Sequence, residues 1–433
     1  MKSIAILLFS AFLLQSQARL NWVGSWAASQ QIPEPQNALP ADDLRDATLR
    51  QIVHLSIGGD QLRLHVSNAF GTAPLHLTSV HIAKPLSTSA AKIDTATDLA
   101  LTFSGKSDIT IPAGAEYISD PATYTLPALS DLAISIHFDS APAQQTGHPG
   151  SRATSYVIHG DRVSAADLPD AKQVEHWYQI AGIDVAAPAG AFSIVTFGDS
   201  ITDGHGATTN GNDRWPDDLV RILQGTPALR SIGVLNHGIG GNRLLTDGTG
   251  PNALARFDRD VLAQAGVRYV ILLEGVNDIG MFGRAGESSP AEHTAFVQRV
   301  IGAYEQMILR AHAHGIQIFG CTILPYTGST FYHPGPASEA DRLKLNEWIR
   351  TPGHFDAVID FDRATRDPEH PERMLPSDDS GDHLHPSPAG YSAMAHAIPL
   401  SLLGAGAATS VPEVHALVLQ RHSLVGQPLR AQH

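Results

Sequence analysis

Five apolar runs of strand length, at 193–197, 231–235, 267–273, 316–324 and 356–361, alternate with segments of helical spacing and narrow the second half of this chain to one kind of architecture. Strands that alternate with helices are joined by crossovers, and crossovers pair strands in parallel. The expectation is therefore an α/β fold: a parallel sheet with helices on both faces, in three layers. The longest helical segment opens on Ser289-Pro290-Ala291-Glu292, a capping box with proline in the first turn. It carries Phe296, Val297, Val300, Ile301, Tyr304, Met307, Ile308 and Ala311 on one stripe up to Gly315, and that stripe is core.

Upstream the period changes to two. The stretches 51–57, 61–67, 75–82 and 132–138 alternate apolar with polar residues between turn formers such as Gly58-Gly59-Asp60, which predicts an antiparallel β-sandwich or jelly-roll-like unit. Alternation puts most of His54, His65, His76, His81 and His137 on the polar face, and no pair of them has the short spacing of a zinc site. The change of texture at Ala186-Ala187-Pro188-Ala189-Gly190 predicts an accessory domain over 19–187 and a catalytic domain over 188–403. A loosely attached tail is expected over 404–433.

With 433 residues, 43% of them hydrophobic, there is material for two large cores. The formal charge of −14 and the lack of clustered Lys and Arg argue against a nucleic-acid partner. Met1-Lys2-Ser3, the apolar stretch Ile4 to Leu14 and the small-x-small site Ser16-Gln17-Ala18 have the layout of a signal peptide cleaved near Ala18, so a secreted protein is expected. No other segment has the length and apolarity of a membrane span. The single cysteine, Cys321, lies in an apolar run and reads as a core thiol.

Four loops carry the chemistry. Phe197-Gly198-Asp199-Ser200 follows the first apolar run and exposes a serine hydroxyl on a tight turn, while Asp382 and His385 stand three residues apart in a glycine- and proline-bounded loop. A serine nucleophile needs such a base and such an orienter. Asn277, in Gly275-Val276-Asn277-Asp278 after the run 269–273, offers a side-chain amide to an oxyanion, and Asn236-His237-Gly238-Ile239-Gly240-Gly241-Asn242 offers a backbone N–H at Gly240 or Gly241. Ligands of open parallel sheets bind at the strands' carboxyl ends, where these loops would converge. Each residue also has a plain reading as a turn or loop polar group. Asp199, Asp203, His205, Asp278, Asp382, His383 and His385 are alternatively donors for a metal-dependent hydrolase, and a noncatalytic carbohydrate-binding protein would rest on the β-sandwich. No Gly-x-Ser-x-Gly elbow occurs, which argues against the α/β-hydrolase fold.

Taken together and in this order, the four blocks resemble the SGNH (GDSL-type) hydrolase family over 193–398. The resemblance implies a flavodoxin-like parallel sheet, a nucleophile at Ser200, an acid and base at Asp382 and His385, and an oxyanion hole built by Ser200, Gly241 and Asn277. Arg214-Trp215-Pro216-Asp217, the phrase 255–260 and the phrase 274–280 resemble secreted bacterial members with an N-terminal β-domain that act on plant-polysaccharide esters. The resulting expectation is a serine carboxylic-ester hydrolase working through an acyl-enzyme, without cofactor or metal. It would remove acetyl or other short acyl groups from a polysaccharide or small polar ester, with a lipase or aryl esterase of the same fold as the alternative. Met281-Phe282 is the one apolar pair near these blocks, a place for a short acyl chain or an aryl group.

Overall fold

The structure, a computed structural model, describes residues 21–404. The leader expected over 1–18 and nearly all of the 404–433 tail fall outside the described residues.

Residues 21–187 fold as antiparallel sheets. One contains Asn21–Ala27, Ile180–Ala187, Gly59–Ser67 and Glu116–Ile118 in that order, with Ala122–Leu126 also beside Gly59–Ser67. The other runs Lys172–Val174, Ser155–His159, Ala47–His54, Asp131–Phe138, Ser79–Pro85, Ile93–Ala100. The period-two positions Leu64, Val66 and Ile183 of the first sheet share one core with Leu49, Val53, Ile134 and Ile136 of the second.

Alternation suggested a solvated outer face, and the strand Ala47–His54 departs from this because both its faces are covered. Ile52, Ala83, Ile93, Ala133, Tyr156 and Leu168 form a second small core on the outer side. Arg50 is fully buried there, donating to Ser135 Oγ and to the carbonyls of Ala91 and Val163. Nor are the strand histidines free surface groups. His54 meets Asp131, His65 meets Glu116 and Asp184, His76 meets Asp108 and Asp139, His81 meets Asp98, and His137 is buried against Asp46. A sequence period places a side chain on a face, whereas its partner comes from another strand.

From Phe192 the sheet is parallel. Its strands Phe192–Gly198, Ile232–Gly238, Val267–Leu273, Gln317–Cys321 and Ala357–Ile359 lie in the order second, first, third, fourth, fifth. The chain moves from the first strand one way and from the third the other way. Right-handed crossovers therefore put helix Trp215–Gly225 on one face and Pro290–Ala313 with Pro336–Arg350 on the opposite face. Pro388–His396 returns to pack on Trp215–Gly225. The capping box of Pro290–Ala313 forms as its sequence suggests, with Ser289 Oγ taking the Glu292 N–H and Glu292 taking the Ser289 N–H, an arrangement worth about 1 kcal/mol. Cys321 is buried, and burial pushes its thiol well up.

The two units meet without a spacer of side chains. Strand Asn21–Ala27 lies against the second parallel strand, where a Cβ on Gly233 would overlap the Gly24 carbonyl, and Ser56 Oγ accepts the Val234 N–H at 3.0 Å. An edge that would otherwise present open hydrogen-bonding groups is thereby covered. Among the described residues no helix is long and apolar enough to cross a membrane.

Candidate active site

The order of the strands reverses direction between the first and third, and the loops after those strands and the second hold Ser200, Asn277 and Gly241. At such a switch point adjacent loops part and leave a crevice. Ser200 opens the short helix Ser200–Asp203 directly after the first strand, with Asp199 as its N-cap: Asp199 Oδ1 accepts the Ile201 N–H at 3.0 Å. Gly204, at φ +98°, ends the turn.

His385 is brought to this serine from the opposite end of the domain. Its Nε2 lies 2.8 Å from Ser200 Oγ, and its Nδ1 lies 2.6 Å from Asp382 Oδ2. Asp382 Oδ1 also accepts the backbone N–H groups of Leu384 at 2.9 Å and His385 at 2.8 Å. Partial burial disfavours the charge on Asp382, yet the bonds from His385 and these N–H groups outweigh it and hold the carboxyl well below the usual carboxylate range. With Nδ1–H committed to Asp382, the ring offers Nε2 to the hydroxyl as a proton acceptor. The loop is set by Ser387, which caps helix Pro388–His396 by accepting the Gly390 N–H, and by Asp379, which binds both the N–H and Nδ1 of His383.

The expected oxyanion donors sit on the same edge. Gly240 spends its N–H on Asp203 Oδ2 at 3.0 Å. The Gly241 N–H has no partner among the described residues, and neither does that of Ser200. This separates the two glycines left open by the sequence: Gly241, held at φ +74°, is the one with a donor to spare. The Asn277 amide is buried and oriented from both sides, since its Oδ1 accepts the Tyr332 hydroxyl at 2.6 Å and one Nδ2 hydrogen goes to the Asn242 carbonyl at 2.8 Å. The second Nδ2 hydrogen remains available.

Loop 239–245 is thus tied at both ends. Ile239 N–H donates to Gly198 O beside the nucleophile, and Asp278 accepts the N–H groups of Leu244 and Leu245 beside Asn277. Beneath it Arg256, fully buried, donates to the Gly198 and His237 carbonyls, to Asn242 Oδ1 and to Asp260. Burial raises the carboxyls of Asp199 and Glu274, each reinforced by the neighbouring acids, and burial raises Asp278 to about 6.

Among the described residues the seven potential metal donors do not assemble as one set, but three of them do. His205, Asp382 and His385 come within 4.8 Å of one another. Asp199 caps the nucleophile turn, Asp203 and Asp278 hold loop 239–245, and His383 turns to Asp379. The His205 ring packs at a tilt of 40° against His385 with ring centroids 4.0 Å apart, and its Nδ1 accepts from Arg152 Nη2 at 3.1 Å. Burial, then the neighbouring His385 and Arg152, lower it to about 4, so it is neutral near pH 7.

Residues from outside the four blocks complete the site. Tyr332 comes from a loop with no periodic signal. Arg152 and His148 come from the antiparallel unit, where nothing in the sequence marks them. Phe282, read as an acyl contact, is instead stacked on Phe296 at 4.4 Å and is taken up by the long helix. Met281 and Phe331 are the exposed apolar side chains next to Asn277 and Tyr332 in the chain, and Arg284 lies over the Phe331 ring at 4.9 Å.

Residues 196–393 match the family model described as GDSL-like lipase/acylhydrolase. Among solved structures the chain is similar to a G-D-S-L family protein described as lipolytic from Desulfitobacterium hafniense, at 24% identity and a TM-score of 0.35 over 47% of this chain and 96% of that one. It is similar to an acetyl xylan esterase from Geobacillus stearothermophilus at 22% identity and a TM-score of 0.36, over 49% of this chain and 94% of that one. A GDSL-like lipase from Bacteroides thetaiotaomicron is 18% identical, with a TM-score of 0.37 over 49% and 87%. No curated protein matches the chain.

Proposed function

Because residues 196–393 match the GDSL-like lipase/acylhydrolase family model, we propose that the chain is a serine carboxylic-ester hydrolase that works through an acyl-enzyme. The observation that carries this reading is the row Ser200 Oγ, His385, Asp382 at 2.8 Å and 2.6 Å beside three uncommitted N–H donors. His385 Nε2 takes the Ser200 proton as Oγ attacks the ester carbonyl, and Asp382 stabilises the imidazolium. The tetrahedral oxyanion is held by the N–H groups of Ser200 and Gly241 and by the free amide hydrogen of Asn277. His385 then protonates the departing alcohol, and water repeats the sequence on the acyl-enzyme.

The substrate we assign is a short acyl group, acetate first, on a polar alcohol such as a carbohydrate. The rim supports this choice: the segments 203–206, 246–250 and 377–381 are polar and glycine-rich. Met281 and Phe331 are too little apolar surface for a lipid interface. A series of aryl esters, with acid release from acetylated polysaccharide alongside, tests it. The value of kcat/KM should be greatest at two to about four acyl carbons, and a maximum at eight or more would overturn the polar-substrate assignment. Export with cleavage near Ala18 belongs to the same proposal, and a mature chain beginning at Arg19 is its signature. So does the division into units over 19–187 and 188–403, which limited proteolysis near 186–190 would reveal.

A further inference from the structure

The geometry points to His148, a residue of the antiparallel unit, as a positioning residue for the oxyanion loop, acting through Asp203. This inference rests on the ester-hydrolase reading and adds that the N-terminal unit is part of the catalytic apparatus.

Asp203 is the last residue of the turn that starts at Ser200, and its two carboxylate oxygens face in different directions. Oδ2 accepts the Gly240 N–H at 3.0 Å, and Oδ1 meets His148 Nε2 at 2.9 Å. The other ring nitrogen of His148, Nδ1, donates to the Ser29 carbonyl at 2.8 Å. Both nitrogens therefore face acceptors, and the His148–Asp203 pair holds one proton between Nε2 and the carboxylate. Both side chains are 3% exposed, so the pair is shielded from water and its members depend on each other.

Asp203 is closely packed on both sides. A Cβ on Gly150 would overlap its carboxylate, and one on Gly238 would overlap its backbone. The ring of His148 is stacked on Trp177, with centroids 5.8 Å apart. Ser29 binds further into the same region, with Oγ meeting His237 Nδ1 at 3.0 Å and Arg256 Nη1 at 3.1 Å. The chain of contacts runs from Ser29 and Trp177 through His148 and Asp203 to Gly240. By consuming the Gly240 N–H it fixes the Ile239–Gly240 peptide, one residue before the peptide that carries the free Gly241 N–H. Removing the imidazole leaves Asp203 Oδ1 buried without a donor, and a carboxylate that turns or takes a proton to compensate releases Gly240.

The test uses the full chain, an aryl acetate, and active-site titration with a fluorophosphonate to express kcat per reactive serine. His148→Phe should lower kcat per titrated site about 10- to 100-fold, the scale of a donor displaced by a fraction of an ångström to an ångström, with KM changed less than about threefold. His148→Gln, which restores a donor to Asp203, should recover part of the loss. Asp203→Ser, too short to reach Gly240, should show the same kcat-selective loss, and joined to His148→Phe it should cost no more than the larger single effect. An unchanged kcat per site in whichever of the two variants folds, or a loss confined to melting temperature, overturns the inference and leaves ester hydrolysis standing. Wild-type protein that neither titrates nor turns over ester would instead bring down the ester-hydrolase reading, and this inference with it.

Discussion

Among the described residues, two rows run from a hydroxyl through both ring nitrogens of an imidazole to a carboxylate. In the parallel-sheet unit they are Ser200, His385 and Asp382, at 2.8 Å and 2.6 Å. In the antiparallel unit Thr78 Oγ1 lies 2.6 Å from His137 Nδ1, and His137 Nε2 lies 3.1 Å from Asp46. Judged by side-chain distances alone the second row rivals the first. The backbone around them differs. Thr78 sits between two strands of antiparallel ladders, and its own N–H is spent on the His137 carbonyl. Ser200 stands where the chain leaves a ladder at a strand's carboxyl end, next to N–H groups at Ser200 and Gly241 with no partner and an Asn277 amide with a hydrogen left over. A proton relay becomes an ester-cleaving site only where donors are left uncommitted for the charge that develops.

Substitution at the two rows should separate them most. His385→Ala should lower the turnover of an aryl acetate about 10⁴-fold or more, while Thr78→Val should leave kcat within about twofold. A comparable loss in Thr78→Val would break the comparison. Next in size, Asn277→Ala should reduce kcat about 10²- to 10³-fold with a smaller change in KM. A rise confined to KM would mean that Asn277 holds the substrate and not the transition state.

The rows also differ in what lies beneath them, and this sets the smallest expected effect. Under Ser200 lie Asp199, Glu274 and Asp278, whose carboxyls burial raises, Asp278 to about 6. A raised carboxyl keeps a proton in the native state that the unfolded chain releases near pH 4. Its stabilisation is thus complete below that pH and is lost as pH rises through the native value. Asp199 Oδ2 has no partner among the described residues, and Oδ1 accepts the Ile201 N–H, a bond that an asparagine oxygen can also make. Asp199→Asn should therefore gain melting temperature relative to wild type as pH rises from 4 to 8. A constant difference across that range would show that Asp199 is charged throughout.

How far the sequence reaches can be seen in particular residues. The five runs, the Ser289 capping box and the spacing from Asp382 to His385 are local patterns, and local patterns survive into the fold because a helix or strand period is set by the backbone. The strand order likewise put Ser200, Gly241 and Asn277 at one sheet edge, and the family resemblance assigned their roles. It did not separate Gly240 from Gly241, because the difference is a hydrogen bond from a side chain 37 residues away. His148 and Arg152 were illegible for the same reason: they reach Asp203 and His205 across the junction of the two units, 55 and 53 residues on. Tyr332 lies in an irregular loop, where no period places a side chain. Phe282 was misplaced because its stacking on Phe296 depends on the path of the chain between two helices.

The claim that Ser200, and no other hydroxyl, carries the reaction is tested most directly by mass spectrometry of the full chain after exposure to a fluorophosphonate. One adduct per chain, mapped to Ser200 and absent from Ser200→Ala but retained by Thr78→Val, is the predicted result. An adduct on any other residue, or undiminished ester turnover by correctly folded Ser200→Ala, would contradict it.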